Sequence, residues 1–196
     1  RDPEDAFAAA EAALERAIAL DPRSISALSE AALTAIFRFY QLRVPSPAAA
    51  VQRAQQAIAL LERALELDPD NVDLLFDQGA NYGDLWFYLL YEPDLAVDID
   101  RDALLAQALE TLARMRELAP GQPGGYTQSI ALQLVRAEFM LSRGESPDAV
   151  ISVAQDLLAE AEAQGVLVGR DRGTWLQLLR VRSSMLSGDG VEAAIQ

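Results

Sequence analysis

Cysteine, histidine and lysine are all missing from the 196-residue chain. Without cysteine there is no disulfide framework, no thiol nucleophile and no thiolate metal ligand. Without histidine the commonest general base and metal ligand is gone. Lysine's absence removes the phosphate-loop cation, the Schiff-base amine and the kinase-type ATP lysine. These gaps exclude most enzyme mechanisms, and no catalytic constellation or cofactor motif is found, so no cofactor is expected. All 16 cations are arginines facing 30 acidic residues, a net charge of −14. That balance repels phosphate and argues against nucleic acid as a partner, while a basic partner would be drawn in. Long hydrophobic runs are missing too. The most apolar stretch, Leu85–Tyr91, is seven residues, far short of the roughly 20 that a membrane-spanning helix needs. No membrane insertion is expected.

What is present is apolar content of 51%, enough to build a core and too much for a disordered chain. The chain opens at Arg1 with no signal-peptide or transit pattern. It is expected to be a single domain over 1–196, a fragment of a longer protein. Its expected location is cytoplasmic, or extracytoplasmic where a membrane anchor precedes Arg1.

Internal repeats organise it. "ALERAIALDP" (13–22), "LLERALELDP" (60–69) and "TLARMRELAP" (111–120) end alike. "RDPEDA" (1–6), "PSPAAA" (45–50), "YEPDLA" (91–96) and "ESPDAV" (145–150) read as four similar helix starts. A further echo joins "FMLSRGESPDAVI" (139–151) to "SMLSGDGVEAAI" (184–195). Pro22, Pro69 and Pro120 set a period of 47 and then 51 residues. Ala10, Leu14, Ala17 and Ile18, and then Ala57, Leu61, Ala64 and Leu65, step by threes and fours, the spacing of an amphipathic helix. Asp-Pro stops each helix, because proline disfavours the α conformation in the residue before it. The pattern predicts an all-α chain of about eight helices, with no strands. "QGVLVGRDRG" (164–173) reads as a loop with a helix after it.

The segment "LERALELDPDN" (61–71), followed by a helix carrying Gly79 and Tyr82, resembles the tetratricopeptide (TPR) repeat. Ala57, Leu61, Ala64 and Pro69 match the second-helix pattern of that family, and Leu75, Gly79 and Tyr82 the first. Ala10, Leu14, Ala17, Pro22 and Ala32 match in the first unit; Ala108, Leu112, Pro120 and Tyr126 match in the third. Met115, Gln78 and Ile130 depart from it. The period also exceeds the family's usual length of about 34 residues. The excess lies in longer helices, by close to two turns. This extended form resembles the C-terminal TPR-like arrays of bacterial serine/threonine protein kinases. The resemblance implies an α-solenoid of about four antiparallel helix pairs, with repeats of about 45–50 residues, that binds protein or peptide.

The densest aromatic stretch, "GDLWFYLLYEPD" (83–94), falls into two stripes at 100° per residue. Leu75, Gly79, Tyr82, Leu85, Trp86, Leu89 and Leu90 form the stripe to be buried between repeats. Phe76, Ala80, Gly83, Phe87 and Tyr91 form a second, and the resemblance places it on the concave face. Its counterparts are Ser29, Leu33, Ile36 and Phe37 one repeat earlier, and Thr127, Ala131, Leu134 and Val135 one repeat later. From these, Phe76, Ala80, Gly83, Phe87, Tyr91, Leu33, Phe37 and Leu134 are the candidate partner-binding residues, forming an apolar groove. The competing reading is that longer helices fill this groove and make it core.

Other patterns carry less. Asp98, Asp100 and Asp102 alternate as in a calcium loop, but Ala103 stands where its glycine belongs and Leu109 where its bidentate glutamate belongs. They are expected to cap the following helix. "GQPGG" (121–125) lacks a preceding strand and reads as a turn. Glu62, Glu66 and Asp84 look like ordinary surface charge, and Arg170, Asp171 and Arg172 like a charged loop. Trp175, Leu178, Leu179 and Leu186 are expected to leave an apolar face partly uncovered and to favour self-association through the C-terminal end. Two functions fit: a non-catalytic scaffold of a multidomain signalling protein binding a basic or amphipathic segment, or a ligand-sensing helical domain enclosing a small hydrophobic molecule near Trp86, Phe87 and Tyr91.

Overall fold

The computed structural model describes residues 3–95, 97–169 and 171–187. Among them the chain forms eight α-helices and no strand: α1 (Pro3–Leu20), α2 (Ile25–Leu42), α3 (Pro47–Leu67), α4 (Val72–Tyr91), α5 (Arg101–Leu118), α6 (Pro123–Ser142), α7 (Asp148–Ala163) and α8 (Asp171–Ser187). The proline punctuation reads through directly. α1, α3 and α5 stop at the residue before Asp21, Asp68 and Ala119, each of which precedes a proline. α3 and α6 begin on Pro47 and Pro123, where a missing N–H costs no helical hydrogen bond. Ser24 and Asn71 cap α2 and α4, accepting from the backbone N–H groups of Ala27 (3.3 Å) and Leu74 (3.1 Å).

One expected helix start is corrected. "YEPDLA" does not open a helix: α4 runs to Tyr91, and α5 begins ten residues later at Arg101. The start is set by Asp100, whose Oδ1 accepts from the N–H groups of Asp102 (2.9 Å) and Ala103 (3.1 Å). Asp100 thus serves as the helix cap expected of this acidic loop.

The chain divides into two compact units, 1–111 and 112–196, with α5 running across the boundary. In the first, α1 packs on α2, α2 on α3 and α3 on α4. Its core joins Leu28, Ala32 and Ala35 of α2 to Ala57, Leu60, Leu61 and Ala64 of α3 and Leu74 of α4. The alanines Ala50, Ala54, Ala57 and Ala64 are wholly buried along one side of α3. They let neighbouring backbones come close: the Asn81 side-chain amide donates to the Ala54 carbonyl at 3.3 Å. The α1–α2–α3 junction is held by charge. Buried Arg38 makes two 2.5 Å bonds to Glu4 and lies over the Phe7 ring, while Arg53 pairs with Glu11 at 3.0 Å. This pairing holds the Glu4 carboxyl below its ordinary range and raises Arg38 above its own.

In the second unit α8 packs on both α6 and α7. Ile130, Leu134, Ala137, Ile151, Ala154 and Leu179 lie in the shared core. The last turns of α6 and α7 close alike. Gly144 and Gly165 take φ of 73° and 70°, and the following N–H groups of Glu145 and Val166 reach back to Met140 (2.9 Å) and Ala161 (2.8 Å). This is a Schellman ending that favours glycine at the left-handed position. The last turn of α5 approaches α6 so closely that a Cβ on Gly125 would stand 2.8 Å from Arg116 Cγ.

The close approach at α3 is testable. Ala64→Trp forces a large side chain where no space exists, and overpacking of this kind costs about 1–3 kcal/mol or more. A clear drop in the denaturant midpoint is expected; stability within about 0.5 kcal/mol of the parent, the range of surface changes, would contradict the packing.

Candidate partner-binding face

The two stripes of α4 separate in the structure. Leu75, Tyr82, Leu85, Trp86 and Leu89 are buried, whereas Phe87 and Tyr91 are exposed, with ring centroids 4.9 Å apart. Phe76 and Ala80 are half-buried. On α2, Leu33 and Phe37 are exposed one turn apart, Phe37 to 53%. Two candidates fare otherwise. Gly83 is buried. Leu134 is wholly buried in the core of the second unit, among residues of α6, α7 and α8. It is therefore corrected from groove residue to core residue, because α8 folds back onto α6 as well as α7.

The remaining candidates lie in the first unit, where α2 and α4 touch directly. The Tyr40 hydroxyl donates a short hydrogen bond to Asp84 Oδ2. Tyr88 donates to the Arg43 carbonyl at 2.8 Å and meets Phe39 edge-on, centroids 5.5 Å apart. Both hydrogen bonds advance together along the two helices, so α2 and α4 run in the same direction here. Tyr40 shares a face with Leu33 and Phe37, and Asp84 one with Ala80, Phe87 and Tyr91. The Tyr40–Asp84 bond is thus the seam of a two-helix face carrying exposed apolar groups from both sides.

The sequence reading missed Tyr40, Asp77 and Asp84 on this face. Tyr40 lies seven residues after Leu33 and Asp84 seven before Tyr91, spacings that were legible. Asp84, read as plain surface charge, is half-buried and joined to Tyr40. Burial raises its carboxyl above the ordinary value, against the opposing pull of the Tyr40 hydroxyl and Arg43. Arg43 stacks over the Tyr40 ring, 4.7 Å from its centroid. Asp77, two turns before Asp84, is likewise raised by burial and by the charge of Asp73, and no cation pulls it down. Burial and Asp84 push the Tyr40 hydroxyl upward, so it stays protonated and remains a donor.

A separate cavity of about 310 Å³ lies between α1, α2 and α3, floored by Leu14, Ile18, Ala31, Ala35 and Leu60 with Glu15 and Arg63 at its lining. It contains none of Trp86, Phe87 and Tyr91. Trp86 is core. No described helix is long and apolar enough to cross a membrane. No protein-family model, no curated protein and no solved structure matches this chain.

The raised Asp77 gives a signed prediction. A carboxyl whose folded pKa lies above its unfolded one destabilises the fold at neutral pH, and the deficit vanishes as pH falls through the carboxylate range. Asp77→Asn is expected to melt higher than the parent at pH 7, with the difference fading on acidification. A variant that melts lower at pH 7 would contradict the burial assigned to Asp77.

Proposed function

We propose that the chain is a non-catalytic protein–protein interaction scaffold, a TPR-like α-solenoid of about four antiparallel helix pairs within a multidomain, cytoplasmic signalling protein. The repeat-end prolines and the "LERALELDPDN" pattern support the TPR-like reading, and the long repeat supports a relation to bacterial serine/threonine kinases. The observation that carries the function is the α2–α4 face. Leu33, Phe37, Tyr40, Phe87 and Tyr91 are large apolar groups left in solvent on two adjoining helices, a concentration that marks interaction sites. Aromatics are the usual anchors of such interfaces. The chain's acidity favours basic or amphipathic partners and an association rate that falls with salt.

A ligand-sensing domain is the second reading, and the aliphatic cavity between α1, α2 and α3 favours it. Its size suits a small hydrophobic molecule. Self-association through α8, whose Leu178, Met185 and Leu186 are exposed, is a further proposal. The continuation "GDGVEAAI" (188–195) lies outside the described residues.

Peptides selected from a random display library against the folded chain test the scaffold reading. Truncating an aromatic anchor costs on the order of 2 kcal/mol, so Phe37→Ala and Phe87→Ala are each expected to weaken the selected peptides at least about tenfold. Both side chains are exposed, so melting should stay near that of the parent. Undiminished affinity in both folded variants would remove this face as the site. For α8, sedimentation should show association that Leu178→Asp and Met185→Asp abolish; a parent that stays monomeric at high concentration would contradict that proposal.

A further inference from the structure

The α2–α4 face is polarised along its length. On α4 one helical face carries Asp73, Asp77, Ala80, Asp84, Phe87 and Tyr91, at steps of four, three, four, three and four. Carboxylates occupy its start and aromatics its end. Because α2 runs the same way, its order is matched: Glu30 and Leu33 come first, then Phe37 and Tyr40. The carboxylates are not alike. Asp84 is already served, by the Tyr40 hydroxyl and the nearby Arg43 guanidinium. Asp73, Asp77 and Glu30 have no ion pair among the described residues. Asp77 is half-buried as well, and the neighbouring charge acting on it is a like one. A half-buried carboxylate facing only like charge is a cost to the fold, and a cation from outside relieves it.

We propose that this face takes a protein segment with separated ends, a cationic end seated against Asp73 and Asp77 and an apolar end seated on Phe37, Phe87 and Tyr91. The inference rests on the reading of the face as a partner site and adds the partner's chemistry and layout. The helical rise places Asp77 and Tyr91 about 21 Å apart along α4. A segment of six or seven extended residues, or about four turns of helix, spans that distance. A single small cation or a short acyl chain does not reach both ends. Charge complementarity at one end supplies steering and orientation, and aromatic burial at the other supplies residence time.

The test uses fluorescently tagged synthetic peptides of one composition. In the block peptide, made in both chain directions, arginines fill one end and leucine and tryptophan the other; in the interleaved peptide they alternate. Anisotropy titrations against the full chain at low and high salt are expected to show one block peptide binding at least about tenfold tighter than the interleaved one. The double variant Asp73→Asn/Asp77→Asn should erase that preference and flatten the salt dependence, while melting at or above the parent at pH 7. A role confined to the fold would not separate affinity from stability in this way. Equal binding of block and interleaved peptides, no binding of either block peptide, or a preference that survives the double variant overturns the proposal. If Phe87→Ala still weakens binding in those cases, the face stands and only its polarity fails. If Phe87→Ala changes nothing for any peptide that binds, the reading of the face itself fails.

Discussion

The first unit depends on the alanine side of α3. Ala50, Ala54, Ala57 and Ala64 are fully buried there, and α3 packs on both α2 and α4. Small residues at helical spacing shorten the distance between helix axes, and each neighbour then turns its more apolar side to the close contact. On α4 Trp86, Leu85 and Leu89 face inward, and Phe87 and Tyr91 are left outward. On α2 Leu28, Ala32 and Phe39 face inward, and Leu33 and Phe37 are left outward. The exposed aromatics are therefore a consequence of helices apolar on two sides meeting a core that covers one.

The seam between α2 and α4 turns that surplus into a defined surface. A neutral tyrosine hydroxyl donating to a half-buried carboxylate, with Arg43 stacked above it, ties the helices where their outward faces meet. A seam of leucines would have sealed the junction without orienting anything. The polar seam instead leaves a fixed donor–acceptor pair between two apolar flanks, in which a partner finds both burial and direction.

Much of the fold was legible in the sequence because its punctuation is local. Proline fixes where α1, α3 and α5 stop, and glycine fixes how α6 ends; neither depends on distant residues. The start of α5 was read in two places, at "YEPDLA" and at the aspartates expected to cap a helix, and only the second holds. "YEPDLA" has the composition of the other starts, but the cap that nucleates the helix is Asp100, several residues on. Leu134 shows the same limit at the level of packing. Its register matches Ile36 and Gly83, yet α8 returns over α6 and covers it, a tertiary fact that periodicity does not carry. At the candidate face, apolar periodicity marks Phe37, Phe87 and Tyr91 but not Asp77 and Asp84. Counting apolar positions alone discards the charges that share their face.

Hydroxyl-radical footprinting, read residue by residue in a mass spectrometer, reports which sides α2 and α4 turn to solvent. Aromatic side chains react in proportion to their exposure, so neighbours in sequence report opposite faces of one helix. Strong labelling of Phe37, Phe87 and Tyr91 is expected beside protection of Phe39, Tyr82 and Trp86. Protection of Phe37 and Phe87 together with labelling of Phe39 and Trp86 would contradict it.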